Sequence, residues 1–143
     1  MMKTLLPLLL IMAFGVTTDT NRADTILGTW LTPKQDGKIE FYKADNRYFA
    51  KLVWYSIPDA TDIHNPNPVL RNKLVIGLNI FRDFIYDSKN QQWVKGTVYD
   101  PESGKTYACE LWVDEYNPNQ LKARGYVMGM TFLGRTETFK RIR

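Results

Sequence analysis

Apolar and polar residues alternate in short runs along most of the chain. In 36–43, Ile39 and Phe41 fall on one side and Lys38 and Glu40 on the other. In 105–114, Tyr107, Cys109, Leu111 and Val113 share a face, while Glu110 and Asp114 point away with Trp112 between them. A period of two is the signature of a strand with one buried face. The i, i+3, i+4 spacing of a helix is not sustained after the first two dozen residues. The pattern predicts strands over 25–31, 36–43, 46–55, 78–86, 92–100, 105–114, 120–128 and 134–142. Between them stand turn-forming stretches such as "PKQDGK", "KADNRY", "DSKNQQ" and "EYNPNQ", rich in the Asp, Asn and Gly that tight turns need. All links but one are short enough for a hairpin. Eight strands in up-and-down order predict an all-β, antiparallel closed barrel, because closure removes unpaired edges. A two-sheet sandwich is the alternative.

The last strand breaks the alternation. Arg135, Glu137, Phe139 and Arg141 share one face of "GRTETFKRI", and Thr136, Thr138, Lys140 and Ile142 share the other. Neither face is apolar. If Phe139 points inward, charges come with it, and these must be paired or hydrated. A partly polar interior suits a ligand cavity. The alternative turns Ile142 and two threonines inward.

The one long link is "SIPDATDIHNPNPVLRNK", residues 56–73, with three of the seven prolines. A connection beyond ~12–15 residues is often functional. It reads either as a lid over one barrel mouth or as a structural plug with a helical turn near "PVLRN" packed on the barrel end.

The chain opens differently. Lys3 precedes an apolar run from Leu5 to Val16, followed by small and polar residues. This is the plan of a secretory signal, and the run is shorter than the ~20 residues of a spanning helix. The expectation is an exported, periplasmic or extracellular protein, with residues 1–23 removed and one domain over 24–143. An uncleaved anchor is the alternative. Without residues 1–23 the chain carries 17 cations and 14 anions, a net +3. No block of like charge is present, so a nucleic-acid partner is not expected.

Candidate chemistry is sparse. "YDPESGKTY" contains Gly104-Lys105-Thr106, the tail of a phosphate-binding loop, but Tyr99 stands where that loop needs its first glycine and a strand follows where it needs a helix. The stretch reads instead as a hairpin turn. One cysteine, Cys109, and one histidine, His64, make neither a disulfide nor a closed zinc site, and leave no Ser–His–Asp arrangement. Cys109 reads as a small buried hydrophobe. A carboxylate pair could be drawn only from Glu110 and Glu137, and alternation turns Glu110 outward. No catalytic residue, metal or cofactor is therefore expected. The plentiful aromatics, Trp30, Trp54, Trp93 and Trp112 among them, read first as strand and core packing.

Gly28-x-Trp30 in the first strand, with Arg141 in the last, resembles the signature of the calycin or lipocalin superfamily, in which the Trp closes one barrel end and the late Arg packs across it. A cation over an indole face makes a physically sound plug. The stretches "ILGTW", "NPNPVLRNKLVIGL", "GTVYDPESGKTYAC", "LKARGYVMG" and "LGRTETFKRI" together resemble the exported bacterial family catalogued as DUF2147. The resemblance spans nearly all of the chain after the leader. It implies an exported lipocalin-like barrel and no particular activity. The long Pro-rich link and the lack of disulfides depart from the lipocalin pattern, so no specific lipocalin ligand carries over.

An eight-stranded interior is just large enough to be filled by side chains or to hold one small ligand. The leading expectation is a non-enzymatic envelope binder of a small amphipathic or acidic molecule. Its polar pocket groups would be Arg124, Tyr126, Arg135 and Glu137, with Trp30 and Arg141 closing one end. The alternatives are a solidly packed structural module and a carboxylate-dependent hydrolase.

Overall fold

The computed structural model describes residues 19–127, 129–130 and 134–142. The candidate export segment therefore lies outside the described residues up to position 18, as does Met128 at the end of the seventh predicted strand. A short helix α1 (Asp19–Ala23) and a 3-10 turn (Asp24–Ile26) lead into eight strands. These are β1 (Gly28–Leu31), β2 (Gly37–Ala44), β3 (Arg47–Tyr55), β4 (Asn79–Asp87), β5 (Gln92–Asp100), β6 (Lys105–Val113), β7 (Gln120–Tyr126) and β8 (Arg135–Arg141). Each pairs antiparallel with the next, and β8 returns to β1 through Trp30 opposite Arg141 and Leu31 opposite Lys140, closing the barrel. The first predicted strand begins late: Asp24–Ile26 coil into the 3-10 turn instead.

Local chemistry explains the bends that closure needs. Asp45 and Asn46 both take positive φ, 50° and 61°, between β2 and β3, as a two-residue hairpin turn requires. Within the strands, Asp83 and Lys95 take φ of 64° and 62°. The register shifts at both places, so each acts as a bulge that tightens the twist. Beside the second bulge the Phe84 ring covers Gly96 so closely that a Cβ there would lie 2.4 Å from it.

Up-and-down order puts alternate connections at opposite ends. The β2–β3, β4–β5 and β6–β7 turns lie at one end, which the N-terminal segment crosses and seals. Ile26 is fully buried there, its carbonyl accepts from the Trp30 indole at 2.9 Å, and the Ala23 carbonyl accepts from the Trp93 indole at 3.0 Å. Tyr48 donates to the Asp24 carboxylate, which also pairs with Lys43 at 3.4 Å. Above this plug an aromatic core fills the adjoining half of the barrel. Phe81 sits at its centre, with ring centroids 5.5 Å from Phe41, 6.0 Å from Phe84 and 5.7 Å from Phe139. Cys109 is buried on the inner face of β6, and burial first, then the neighbouring Glu110 charge, pushes its thiol up to about 12, as befits an inert core residue.

Ala23 bears directly on the processing of the chain. Cleavage after Ala23 would take away the carbonyl that satisfies the buried Trp93 N–H. A buried donor left without its partner costs about 1–3 kcal/mol. A chain beginning at Asp24 is therefore expected to unfold at lower urea concentration than one beginning at Asp19. Equal midpoints for the two chains would show that the Ala23 bond is dispensable.

Candidate functional site

The other end of the barrel is open. It gathers the β1–β2, β5–β6 and β7–β8 connections and the long link between β3 and β4. A cavity of about 680 Å³ enters the barrel here. Its floor and walls are apolar: Ile39 of β2, Leu52 of β3, Ile80 and Phe81 of β4, Val98 of β5 and Phe139 of β8. Ile39, Leu52, Phe81, Val98 and Phe139 sit on inward positions of their strands, and Ile80, next to Phe81, borders the cavity at the start of β4. The barrel thus divides along its axis into a filled half, ending at the Phe81 and Phe139 rings, and a hollow half above them.

The link roofs part of this hollow. It forms a loose hairpin, with Val75 N–H bonded to the Ala60 carbonyl at 2.9 Å and Asp62 N–H to the Lys73 carbonyl at 2.8 Å. Asn67 caps a 3-10 turn over Pro68–Leu70 by accepting from Val69 N–H. Ile57, Ala60, Ile63, His64 and Val75 of the link line the cavity. Two contacts fasten the link to β5 and to the turn that follows it. Asp62, only 1% exposed, accepts from the Tyr99 hydroxyl at 2.6 Å and from Asn65 at 2.7 Å. Burial, then the bond and charge of Asp62, push the Tyr99 phenol up to about 12, so it stays protonated and donating at neutral pH. The His64 carbonyl meets Gly104, where φ is 72° and a Cβ would lie 1.9 Å from that oxygen. "YDPESGKTY" is thus the β5–β6 hairpin, and its glycine makes room for the link. A smaller hollow of about 330 Å³ lies under the link, bordered by Asp62, Leu70, Arg82, Thr97 and Tyr99.

The last strand resolves the puzzle of its mixed face. Phe139 points inward, and Arg135, Glu137 and Arg141 share that side. Because the strand spans the height of the barrel, its inner face passes through three environments. Arg135 and Glu137 stand at the wet mouth, paired at 2.9 Å with side chains 86% and 41% exposed. Phe139 lies in the dry centre. Arg141 reaches the sealed end, its guanidinium 4.1 Å from the Trp30 ring centre and donating to the carbonyls of Leu27 and Thr25.

The sequence-expected pocket groups therefore separate. Arg135 and Glu137 line the cavity. Arg124 and Tyr126 do not. They alternate with the buried Leu121 and Ala123, so they lie on the outer face of β7, with the Arg124 guanidinium 5.5 Å from the Tyr126 ring and packed against Gly134. Glu110, opposite Arg124 across the β6–β7 ladder, also faces out. Glu110 and Glu137 thus stand on opposite sides of the barrel wall and form no carboxylate pair. Trp30 and Arg141 meet at the sealed end, away from the cavity. Lys34, Asp36, Asp100 and Glu102 also line the mouth; in the sequence they stand inside the turn stretches "PKQDGK" and "YDPESGKTY", where nothing marks them as site residues. Among the described residues no group of His, Cys, Asp and Glu is arranged to hold a metal ion, and no helix is long and apolar enough to cross a membrane.

A closed eight-stranded antiparallel barrel, sealed at one end by an N-terminal segment and an Arg-over-Trp pair and hollow at the other, is a lipocalin-like fold. The chain belongs to the DUF2147 family, described as uncharacterised proteins conserved in bacteria, whose family model matches residues 28–141. Its structure is similar to that of protein HP1028 from Helicobacter pylori, reported to belong to the lipocalin family. The two share 24% sequence identity, 82% of this chain and 83% of the other are covered, and the TM-score is 0.70. At that identity the likeness concerns the fold. No curated protein matches the chain.

Proposed function

We propose that this protein is a non-enzymatic carrier or sensor that holds one small amphipathic molecule in the open half of its barrel. The observation that carries the reading is the cavity, about 680 Å³ with an apolar floor of Ile39, Leu52, Phe81 and Phe139 beneath a charged mouth. Pockets of a few hundred to a thousand Å³ with apolar walls and few polar groups are typical small-molecule sites. An apolar tail would sit on the aromatic floor and a polar head would remain between the mouth loops. A solidly packed module would have no use for an apolar hollow open to water. The leader-like run from Leu5 to Val16 supports action outside the cytoplasm, where such molecules are exchanged with membranes.

The test is native mass spectrometry of protein recovered from a bacterial envelope, followed by extraction with organic solvent. The expected result is a bound small mass that extraction removes, with a lower melting temperature afterwards that added amphiphile restores. No bound mass, together with no thermal shift across a panel of amphiphiles, would contradict the reading.

A further inference from the structure

The cavity mouth has a charge of its own, opposite to that of the chain. The protein as a whole carries a net +4. The charged residues lining the cavity are Lys34, Asp36, Asp100, Glu102, Arg135 and Glu137. Both cations are already engaged, Lys34 with Glu102 at 3.3 Å and Arg135 with Glu137 at 2.9 Å. Asp36 and Asp100 are in no described ion pair; they share the field of Lys34, whose amine is raised first by the Glu102 bond and charge and then also by Asp36 and Asp100. Their hydrogen bonds come from neutral donors, Thr32 Oγ1 to Asp36 and the Glu102 N–H and Ser103 Oγ to Asp100, which fix the carboxylates in place without cancelling their charge. His64, the remaining titratable group of the link at the mouth, adds no negative charge.

Tyr55, which also lines the cavity, responds to the same field. Its phenol is held above the usual value first by burial and then by Asp36, Glu102 and Asp100, with Lys34 opposing. Negative charge therefore outweighs positive at the place where a ligand head would stop.

We infer that the ligand of this cavity is an amphiphile with a cationic head, an amine or quaternary ammonium group on an apolar tail, whose head rests between Asp36 and Asp100. This inference rests on the cavity being a ligand site and specifies which ligand it takes. The alternating order of the barrel makes it possible: the β1–β2 and β5–β6 turns lie at the same end, so the carboxylates of "QDG" and "YDP" face one opening. An acidic amphiphile would have to displace Glu137 from Arg135, or Glu102 from Lys34, and would still face the two remaining aspartates.

The experiment is competition against N-phenylnaphthylamine, a neutral probe that fluoresces in apolar sites. The competitors are decylammonium, decanol and decyl sulfate, each below its micelle concentration. Decylammonium is expected to displace the probe at about tenfold lower concentration than decyl sulfate, since two partly exposed carboxylates at contact distance contribute effects of that order. Added salt should shrink the preference. A double variant, Asp36→Asn with Asp100→Asn, removes both charges while leaving each turn one side-chain acceptor oxygen, and should bring the two ionic competitors close together, each read relative to decanol on the same variant. Equal displacement by both ionic competitors with the wild-type protein, or a preference for decyl sulfate, would overturn the assignment of the head and leave the cavity as a binder. Failure of the probe and of all three competitors to bind would instead remove the cavity reading on which the assignment stands.

Discussion

Replacing Trp30 by alanine is expected to destabilise the protein by about 3–5 kcal/mol, a large share of the 5–15 kcal/mol by which domains are typically stable. Three losses combine at this one position. Trp30 is completely buried, so truncation leaves a void the size of an indole at the sealed end. Its N–H no longer meets the Ile26 carbonyl, which stays buried without that donor. The Arg141 guanidinium, now 4.1 Å from the ring centre, loses the face that covers it while still tied to the carbonyls of Leu27 and Thr25. Trp30→Phe keeps a ring under Arg141 and removes only the N–H and part of the volume, so its cost should be about 1–2 kcal/mol. Urea denaturation followed by circular dichroism measures both. A Trp30→Ala loss below about 1 kcal/mol would mean that the plug does not hold the barrel shut.

The sealed end was legible through a resemblance, that of Gly28-x-Trp30 and Arg141 to the lipocalin signature. Gly28-x-Trp30 alone says little, but with Arg141 in the last strand it gains weight, because strand order makes the first and last strands neighbours in a closed barrel. The strands themselves were legible without it: a period of two interrupted by Asp, Asn and Gly leaves little freedom. The exception at the start, where residues 24–26 coil rather than extend, follows from a demand that alternation does not encode. The segment must cross the barrel end to deliver the Ala23 and Ile26 carbonyls to two indoles.

The open end was harder to read. Arg124 and Tyr126 read as pocket groups because they lie on the strand beside the mixed last strand, yet Leu121 and Ala123 hold the inward positions of β7, and parity sends Arg124 and Tyr126 outside. The same parity argument had correctly turned Glu110 outward. The mouth carboxylates Asp36 and Asp100 were hidden as turn formers, since an Asp in a tight turn needs no further explanation. What reveals them is topology: connections of the same parity share an end, so charges in separate turns become one rim. The Asp62–Tyr99 bond and the fit of Gly104 against His64 depend on how a Pro-rich link folds back on a distant hairpin, and no spacing rule reaches that far.

The mixed face of β8 is the clearest case of a pattern that seemed inconsistent because it was read as one environment. An inward face in a half-filled barrel passes from water through a dry centre to a sealed end. Arg135 and Glu137, Phe139, and Arg141 each match their own depth.

The central claim, that the hollow half of the barrel is the binding site, is tested most directly by filling it. Val98 on the β5 wall and Ala60 in the link both line the cavity from different sides. The double variant Val98→Trp with Ala60→Trp places two indoles in the space above Phe81, and a ligand forced out of well-packed space loses about 1–3 kcal/mol per clash, hence about a hundredfold in affinity for the pair. Val53→Trp, on the exposed bulge of β3 outside the cavity, controls for an added indole. Titration of N-phenylnaphthylamine into the three proteins, each checked for an intact melting transition, gives the answer, with Val98→Phe alone standing in if the double variant does not fold. The account predicts tight, saturable binding by the wild type and the Val53→Trp control and its near-complete loss in the filled variant. Undiminished binding in the filled variant would place the ligand elsewhere and contradict it.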